Sequence, residues 1–119
     1  MNRLGQRGED LAADYLESLG YAILERNIRL SAGELDAVAK DGDVVVFVEV
    51  KARSGNKFGT PQEAVNAAKQ KRLTRLALEW LQIHNMAEAS ARFDVVSVVA
   101  DKGSRPRIEV FRNAFEAIP

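Results

Sequence analysis

Hydrophobic positions change their spacing along this chain, and each change predicts an element. Leu4, Gly8, Leu11, Ala12, Tyr15, Leu16 and Leu19 recur at helical spacing, which predicts a helix over 3–19 stopped by Gly20 at its C′ position. Glu9 lies beside that stripe, and a glycine at position 8, in the first turns, predicts close approach by another backbone or a ligand. Tyr21 to Leu30 alternates loosely and reads as a first strand, followed by the short loop Ser31-Ala32-Gly33. Residues 33–53, GELDAVAKDGDVVVFVEVKAR, read as a β-hairpin turning at Asp41-Gly42-Asp43. Its second strand, from Val44 to Lys51, is apolar on both faces, so it belongs in the middle of a sheet covered on both sides.

After a glycine-flanked loop holding Lys57 and Phe58, Thr60-Pro61-Gln62-Glu63 supplies an N-cap, a proline at N1 and a capping-box glutamate. The helix that follows is predicted to run to about Asn85, with Val65, Ala68, Leu73, Leu76, Trp80 and Ile83 as its apolar stripe. Residues 92–100 and 107–112 are predicted strands joined by a turn, and the tail offers Phe115 and Ile118 as anchors. The order is α-β-β-β-α-β-β, an α/β fold with a mixed central sheet flanked by helices.

Composition narrows this picture. A chain of 119 residues, 46% hydrophobic, fits one domain over 1–119 with one core. It contains no cysteine, which excludes disulfides, Cys-ligated zinc, iron–sulfur clusters and a thiol nucleophile. No apolar run of signal-peptide or membrane-span length is present, so a soluble, cytoplasmic protein is expected. The formal net charge is zero, but between Lys51 and Arg75 there are seven basic residues and only Glu63 as an acid. That local excess suits phosphate, although a solvated helix face has the same composition.

The chemistry concentrates where charges interrupt the apolar strand. With Gly42-Asp43 as a two-residue turn, Asp36 stands opposite Glu49; with Asp41-Gly42 it stands opposite Phe47, diagonal to Glu49. In either register Asp36, Glu49 and Lys51 project from one face, with facing Cβ atoms ~5 Å apart. Two facing carboxylates repel, and a divalent ion relieves the repulsion: Mg²⁺ (or Mn²⁺) takes one or two carboxylates plus waters and substrate phosphate. The Val50 carbonyl supplies a further oxygen near the same point. Lys51 cannot ligate metal while protonated, but it can orient a water or stabilise charge on a phosphate. Metal, water and cation together describe phosphodiester hydrolysis. The competing explanation is a Glu49–Lys51 surface ion pair with Asp36 nearby by chance.

These residues resemble a known pattern. Asp36 followed by Glu49-Val50-Lys51 is similar to the D…(D/E)-X-K core of restriction-endonuclease-like nucleases. Gly8-Glu9, Asn27-x-Arg29, Gly33-Glu34-Leu35-Asp36, Val48-Glu49-Val50-Lys51-x-Arg53, Lys69 and Arg92-Phe93-Asp94-Val95-Val96 resemble the bacterial YraN-like family. That family is regarded as endonuclease-like and akin to archaeal Holliday junction resolvases. The resemblance implies a restriction-endonuclease-like core, metal binding by Asp36 and Glu49, and catalysis by Lys51. It also implies that Glu9 is a first-helix acid reaching the same site and makes Arg53, Lys57 and Lys69 candidates for phosphate contact; Arg72, on the same basic helix, is a further candidate for contact with DNA. Glu34, in the same string as Asp36, points to the other face if its strand is regular. Leu35 stands where the superfamily motif has proline.

The expected activity is metal-dependent endonucleolytic cleavage of DNA, including branched DNA; opposed nicks at a junction need two sites and hence a homodimer. The alternatives are a non-catalytic nucleic-acid binding module with the same fold and an adaptor domain without nucleic acid. Among the remaining residues, His84 is expected as a helix C-terminal cap or dipole partner, Trp80 as core and Phe58 as a base-stacking candidate. Asp94 is expected to be structural, paired with Arg29 or Arg92.

Overall fold

The apolar run of the hairpin becomes the middle strand of a five-stranded mixed sheet. The computed structural model describes residues 3–53, 65–100, 103 and 105–118. The strands are β1 (Ala22–Leu30), β2 (Gly33–Asp41), β3 (Val44–Arg53), β4 (Ala91–Val99) and β5 (Arg107–Phe115), arranged spatially in that same order. Helix α1 (Arg3–Ser18) precedes them, and helix α2 (Ala67–Ile83) lies between β3 and β4 in the chain. Among the described residues only the β3–β4 pair is parallel. A parallel pair needs a crossover of helix length, and the segment holding α2 provides it.

Burial on both faces of β3 is what its composition demands. Val45 and Phe47 join a cluster with Leu73, Leu76 and Trp80 of α2, while Val46 and Val48 join another with Ala12 and Leu16 of α1. Each helix contributes the apolar stripe it can spare. Helix α1 ends as predicted: Gly20 has φ +98°, Gly20 N–H donates to the Glu17 carbonyl, and Tyr21 N–H donates to the Leu16 carbonyl. This double bond pattern is a Schellman cap. The β2–β3 turn adopts the first of the two predicted registers, with Asp41 paired to Val44 and Ala37 to Val48.

Helix α2 departs from expectation. The predicted start at Thr60 to Glu63 lies outside the described residues, as do Lys57 and Phe58. The helix seen here begins at Ala67, capped by Asn66, whose backbone is extended and whose Oδ1 accepts from Lys69 N–H at 2.9 Å. An unbroken helix from Pro61 is therefore corrected to one starting at a second cap. The buried face shifts with it to Leu73, Thr74, Leu76, Ala77, Trp80 and Leu81. Ala68 is exposed, Ile83 is 60% exposed, and Val65 is buried ahead of the helix rather than on its stripe.

At the other end of α2, Trp80 is core, and its indole N–H donates to Glu25 Oε1 at 3.0 Å. His84 caps the helix, stacks on Trp80 at 3.9 Å and places Nε2 3.1 Å from the same Glu25 oxygen. Among the described residues no helix is long and apolar enough to cross a membrane.

Strand β5 runs three residues beyond its predicted end at Arg112, because a buried carboxylate reorganises its pairing. Asp94 is fully buried and accepts from Tyr21 Oη–H at 2.7 Å, Arg92 Nε at 2.9 Å and Asn113 N–H at 2.9 Å. The β4–β5 register shifts between Phe93 and Val95, and Asn113 takes a left-handed φ of +51° there, so the Asp94 side chain takes over a ladder position. Phe115 then stacks on Phe93 at 4.6 Å. Arg92 also donates to Asp41 at 2.8 Å, tying β4 to the tip of the β2–β3 hairpin. Of the two expected partners of Asp94, Arg92 is the one found, and Arg29 pairs with Glu34 instead.

Removing the Asp94 carboxylate leaves a guanidinium, a phenol and a backbone amide without their shared acceptor. Asp94→Ala is expected to cost about 3–5 kcal/mol of stability, read as a lowered urea midpoint with an unchanged m-value.

Candidate functional site

The site forms where the β2–β3 ladder stops. Leu35 and Ala37 are two apart and would share a face in a regular strand. Leu35 instead packs in the α2 cluster and Ala37 in the α1 cluster, so β2 turns over at Asp36. Pairing to β3 ends at Ala37↔Val48, one step short of Asp36 and Glu49. The Val50 N–H, left without a strand partner there, donates to Asp36 Oδ2 at 2.8 Å. Val45 N–H and the Arg53 carbonyl bond toward β4, so odd-numbered β3 residues face that strand and even-numbered ones face β2. The Val50 carbonyl therefore opens on the same gap that Asp36 fills.

Glu49 is 9% exposed and packs among Leu35, Phe47, Leu73 and Phe93, an apolar floor for a carboxylate. Lys69 Nζ lies 3.2 Å from Glu49 Oε1, and Lys51 Nζ lies 3.9 Å from the same oxygen. Burial pushes the Asp36 carboxyl up to about 7, the Glu49 charge adds to that, and the Val50 N–H opposes it. Burial lowers Lys51, assisted by its contact with Lys69. Burial opposes the charge of Lys69 as well, but contacts with Lys51 and Glu49 outweigh it and hold that ammonium above its ordinary value.

Glu9 comes from the opposite layer. A Cβ on Gly8 would lie 2.5 Å from the Ala52 Cβ, so the missing side chain lets α1 settle against the end of β3. Glu9 then sits with Oε1 buried and without a hydrogen-bond partner among the described residues. Burial raises its pKa; Arg26 pulls it back, and Glu34, Asp10 and Glu49 add to the rise. Glu9 thus reaches the site electrostatically. No group of three or more acids or histidines among the described residues converges at metal-ligating spacing.

The donor set on offer is two carboxylates and one strand carbonyl. Burial first, and the Glu49 charge second, raise Asp36 to about 7, and a cation between the two carboxyl groups would relieve both effects. All-oxygen donors few in number suit a hard ion that keeps most of its waters, which is the coordination Mg²⁺ prefers, and do not suit a closed zinc cage.

The structure brings together Asp36, Glu49, Val50, Lys51 and Lys69, with Glu9 alongside. It does not bring Glu34 into the group: that side chain is exposed and bonded to Arg29 at 3.4 Å. Arg53 ends β3 two residues beyond Lys51, and Arg72 is exposed one turn along α2 from Lys69. The sequence reading missed the direct Lys69–Glu49 pair. Its signal was a lysine three residues after Asn66 in a first turn without any acid, a place where helices favour carboxylates.

The chain belongs to the uncharacterised protein family UPF0102, whose family model matches residues 8–98. It is 50% identical over 113 residues to a UPF0102 protein of Geobacter sulfurreducens, covering 95% of this chain and 88% of that one. A UPF0102 protein of Symbiobacterium thermophilum is 49% identical over 115 residues, covering 97% and 98% of the two chains. One from Rhodococcus opacus is 49% identical over 112 residues, covering 94% and 95%.

The raised Asp36 carboxyl has a signed consequence for the metal-free protein. Its folded pKa of about 7 lies above the ordinary 3.8, so the folded state holds a proton that the unfolded chain has released. Ionisation therefore costs stability progressively as pH rises from about 4 to 7, with the full cost present above that window. Asp36→Asn, which keeps an acceptor for Val50, removes the cost. Its thermal stability relative to wild type is expected to grow across that range and to exceed the wild type by about 1.4 kcal/mol or more at pH 8, since each pKa unit is worth about that much. A pH-independent difference between the two proteins would contradict this account of the carboxyl.

Proposed function

Proceeding from this family membership and the charged cluster at the end of β3, we propose that the chain is a metal-dependent endonuclease hydrolysing DNA phosphodiester bonds, on a restriction-endonuclease-like core. The observation that carries the proposal is the buried Asp36–Glu49 pair with Lys51 two residues on, at the strand end where pairing to β2 stops. The order of a helix, an antiparallel β-meander, a helical crossover and a parallel strand supports that reading.

Asp36, Glu49 and the Val50 carbonyl would hold Mg²⁺ or Mn²⁺. When bound, the ion supplies a water of lowered pKa and neutralises charge on the phosphate oxygens. The protein's own residues do the rest. Lys51, whose pKa burial lowers, lies near Glu49 and can orient the attacking water or stabilise the developing phosphorane charge. Glu9, whose pKa burial raises, offers a second acid on the α1 side. The apolar floor under Glu49 excludes bulk water, which strengthens every charge interaction above it. Arg53 and Arg72 would meet the flanking phosphates, contacts that linear and branched DNA offer alike.

A second reading has its own supporting observation. Glu49 is already neutralised by Lys69 at 3.2 Å, so the fold can persist as a nucleic-acid binding module without metal.

One experiment separates them. Purified protein is incubated with supercoiled, linear and four-way-junction DNA in Mg²⁺, Mn²⁺ or EDTA. The nuclease reading expects cleavage with metal only, abolished in Glu49→Ala and reduced about 10²-fold or more in Lys51→Ala. Cleavage that survives Glu49→Ala would sink it. Salt-sensitive binding without turnover in any metal would establish the module instead.

A further inference from the structure

Lys69 occupies a position that its own helix disfavours. It is the third residue after the Asn66 cap, where its N–H donates to Asn66 Oδ1, and the positive end of the helix dipole repels an ammonium there. The compensation is tertiary: its Nζ lies 3.2 Å from Glu49 Oε1, closer than Lys51 at 3.9 Å, and its side chain is only 24% exposed. Glu49 is buried at the end of an apolar strand beside a second carboxyl group, so a cation must balance it for the sheet to close there. In the protein as it stands, the Lys69 ammonium is that cation.

We propose that Lys69 is a resident counter-cation that competes with the metal for Glu49, so that metal entry and the Lys69–Glu49 ion pair are mutually exclusive. This rests on the reading of Asp36 and Glu49 as metal ligands. An ion held by those carboxylates would lie within a few ångströms of the ammonium, and two cations that close in a half-buried site repel each other strongly. The backbone of Lys69 is fixed by its bond to Asn66, whereas its four-carbon stem is flexible, so the side chain swings and the helix stays. The displaced ammonium is then released beside the carboxylates, on the basic side of the site that also carries Lys51. The carboxylate pair therefore never stands uncompensated: lysine balances it before metal arrives, and metal balances it afterwards.

The test uses the full chain without DNA and reads Mn²⁺ affinity by calorimetric titration, with melting temperature as a second measurement. Lys69→Met removes the competing charge and is expected to bind Mn²⁺ about tenfold more tightly than wild type, a difference of about 1.4 kcal/mol. Its metal-free melting temperature should fall below wild type, and saturating Mn²⁺ should narrow that gap. Lys69→Arg keeps the charge and a stronger fork for the carboxylate, so it is expected to bind Mn²⁺ no more tightly than wild type; it stands in if the Met variant does not fold. Arg75→Met, an exposed charge elsewhere on α2, should match wild type. If wild type binds Mn²⁺ and Lys69→Met binds equally or more weakly, the competition is overturned while the metal site stands. If neither protein binds Mn²⁺, the metal-site reading falls and this inference falls with it.

Discussion

A carboxylate at the end of an apolar strand has to be neutralised by something, and much of this structure follows from how Glu49 is neutralised. Val45, Phe47 and Glu49 lie on one face of β3, and the burial that stabilises the first two penalises the third. Lys69 reaches down from the first turn of α2, and Lys51 stands beside it. The helix must start at Asn66 for that lysine to arrive, which is why the cap matters beyond its own hydrogen bond. The same penalty falls on Asp36, whose carboxyl is raised both by burial and by the charge next to it. Strand, helix start and lysine are thus linked through one oxygen atom.

The fold was largely legible in the residues because its strongest signals are local. The run from Val44 to Val48 announces a strand covered on both faces, and Asp41-Gly42-Asp43 narrows the hairpin to two registers, of which the Gly42-Asp43 turn is the one formed. Gly20 stops α1 through its own backbone freedom. Errors arose where a side chain from afar overrides the local pattern. Strand β5 continues through Asn113 because Asp94, nineteen residues earlier, accepts its N–H. Helix α2 starts at Asn66, and a strong proline-containing capping box a few residues earlier masked the weaker signal of an asparagine followed by a lysine.

The candidate site was legible in part for a similar reason. Strand parity alone places Asp36, Glu49 and Lys51 on one side; the observed register follows that parity as far as Ala37↔Val48, where the pairing stops. Parity says nothing about which helix covers that side, so Lys69 was assigned to phosphate rather than to Glu49. Nor does it reveal that β2 turns over between Leu35 and Ala37, which makes the Asp36 side chain a hydrogen-bonding partner of the β3 backbone. Glu9 could be placed near the site only by resemblance, and the close Gly8–Ala52 approach supplies the physical reason.

That bond between Asp36 and Val50 has a consequence for dynamics. The last rung holding β3 to β2 is made by an ionisable side chain rather than by the backbone, so fraying of this strand end and a change of state at the carboxylates are the same local event. Exchange of the Val50 amide with solvent therefore reports directly on what Asp36 is bonded to. Any species that draws the carboxylate away would loosen the strand end, and any that fixes it in place would protect that amide. The protein carries its own gauge of site occupancy in one backbone proton.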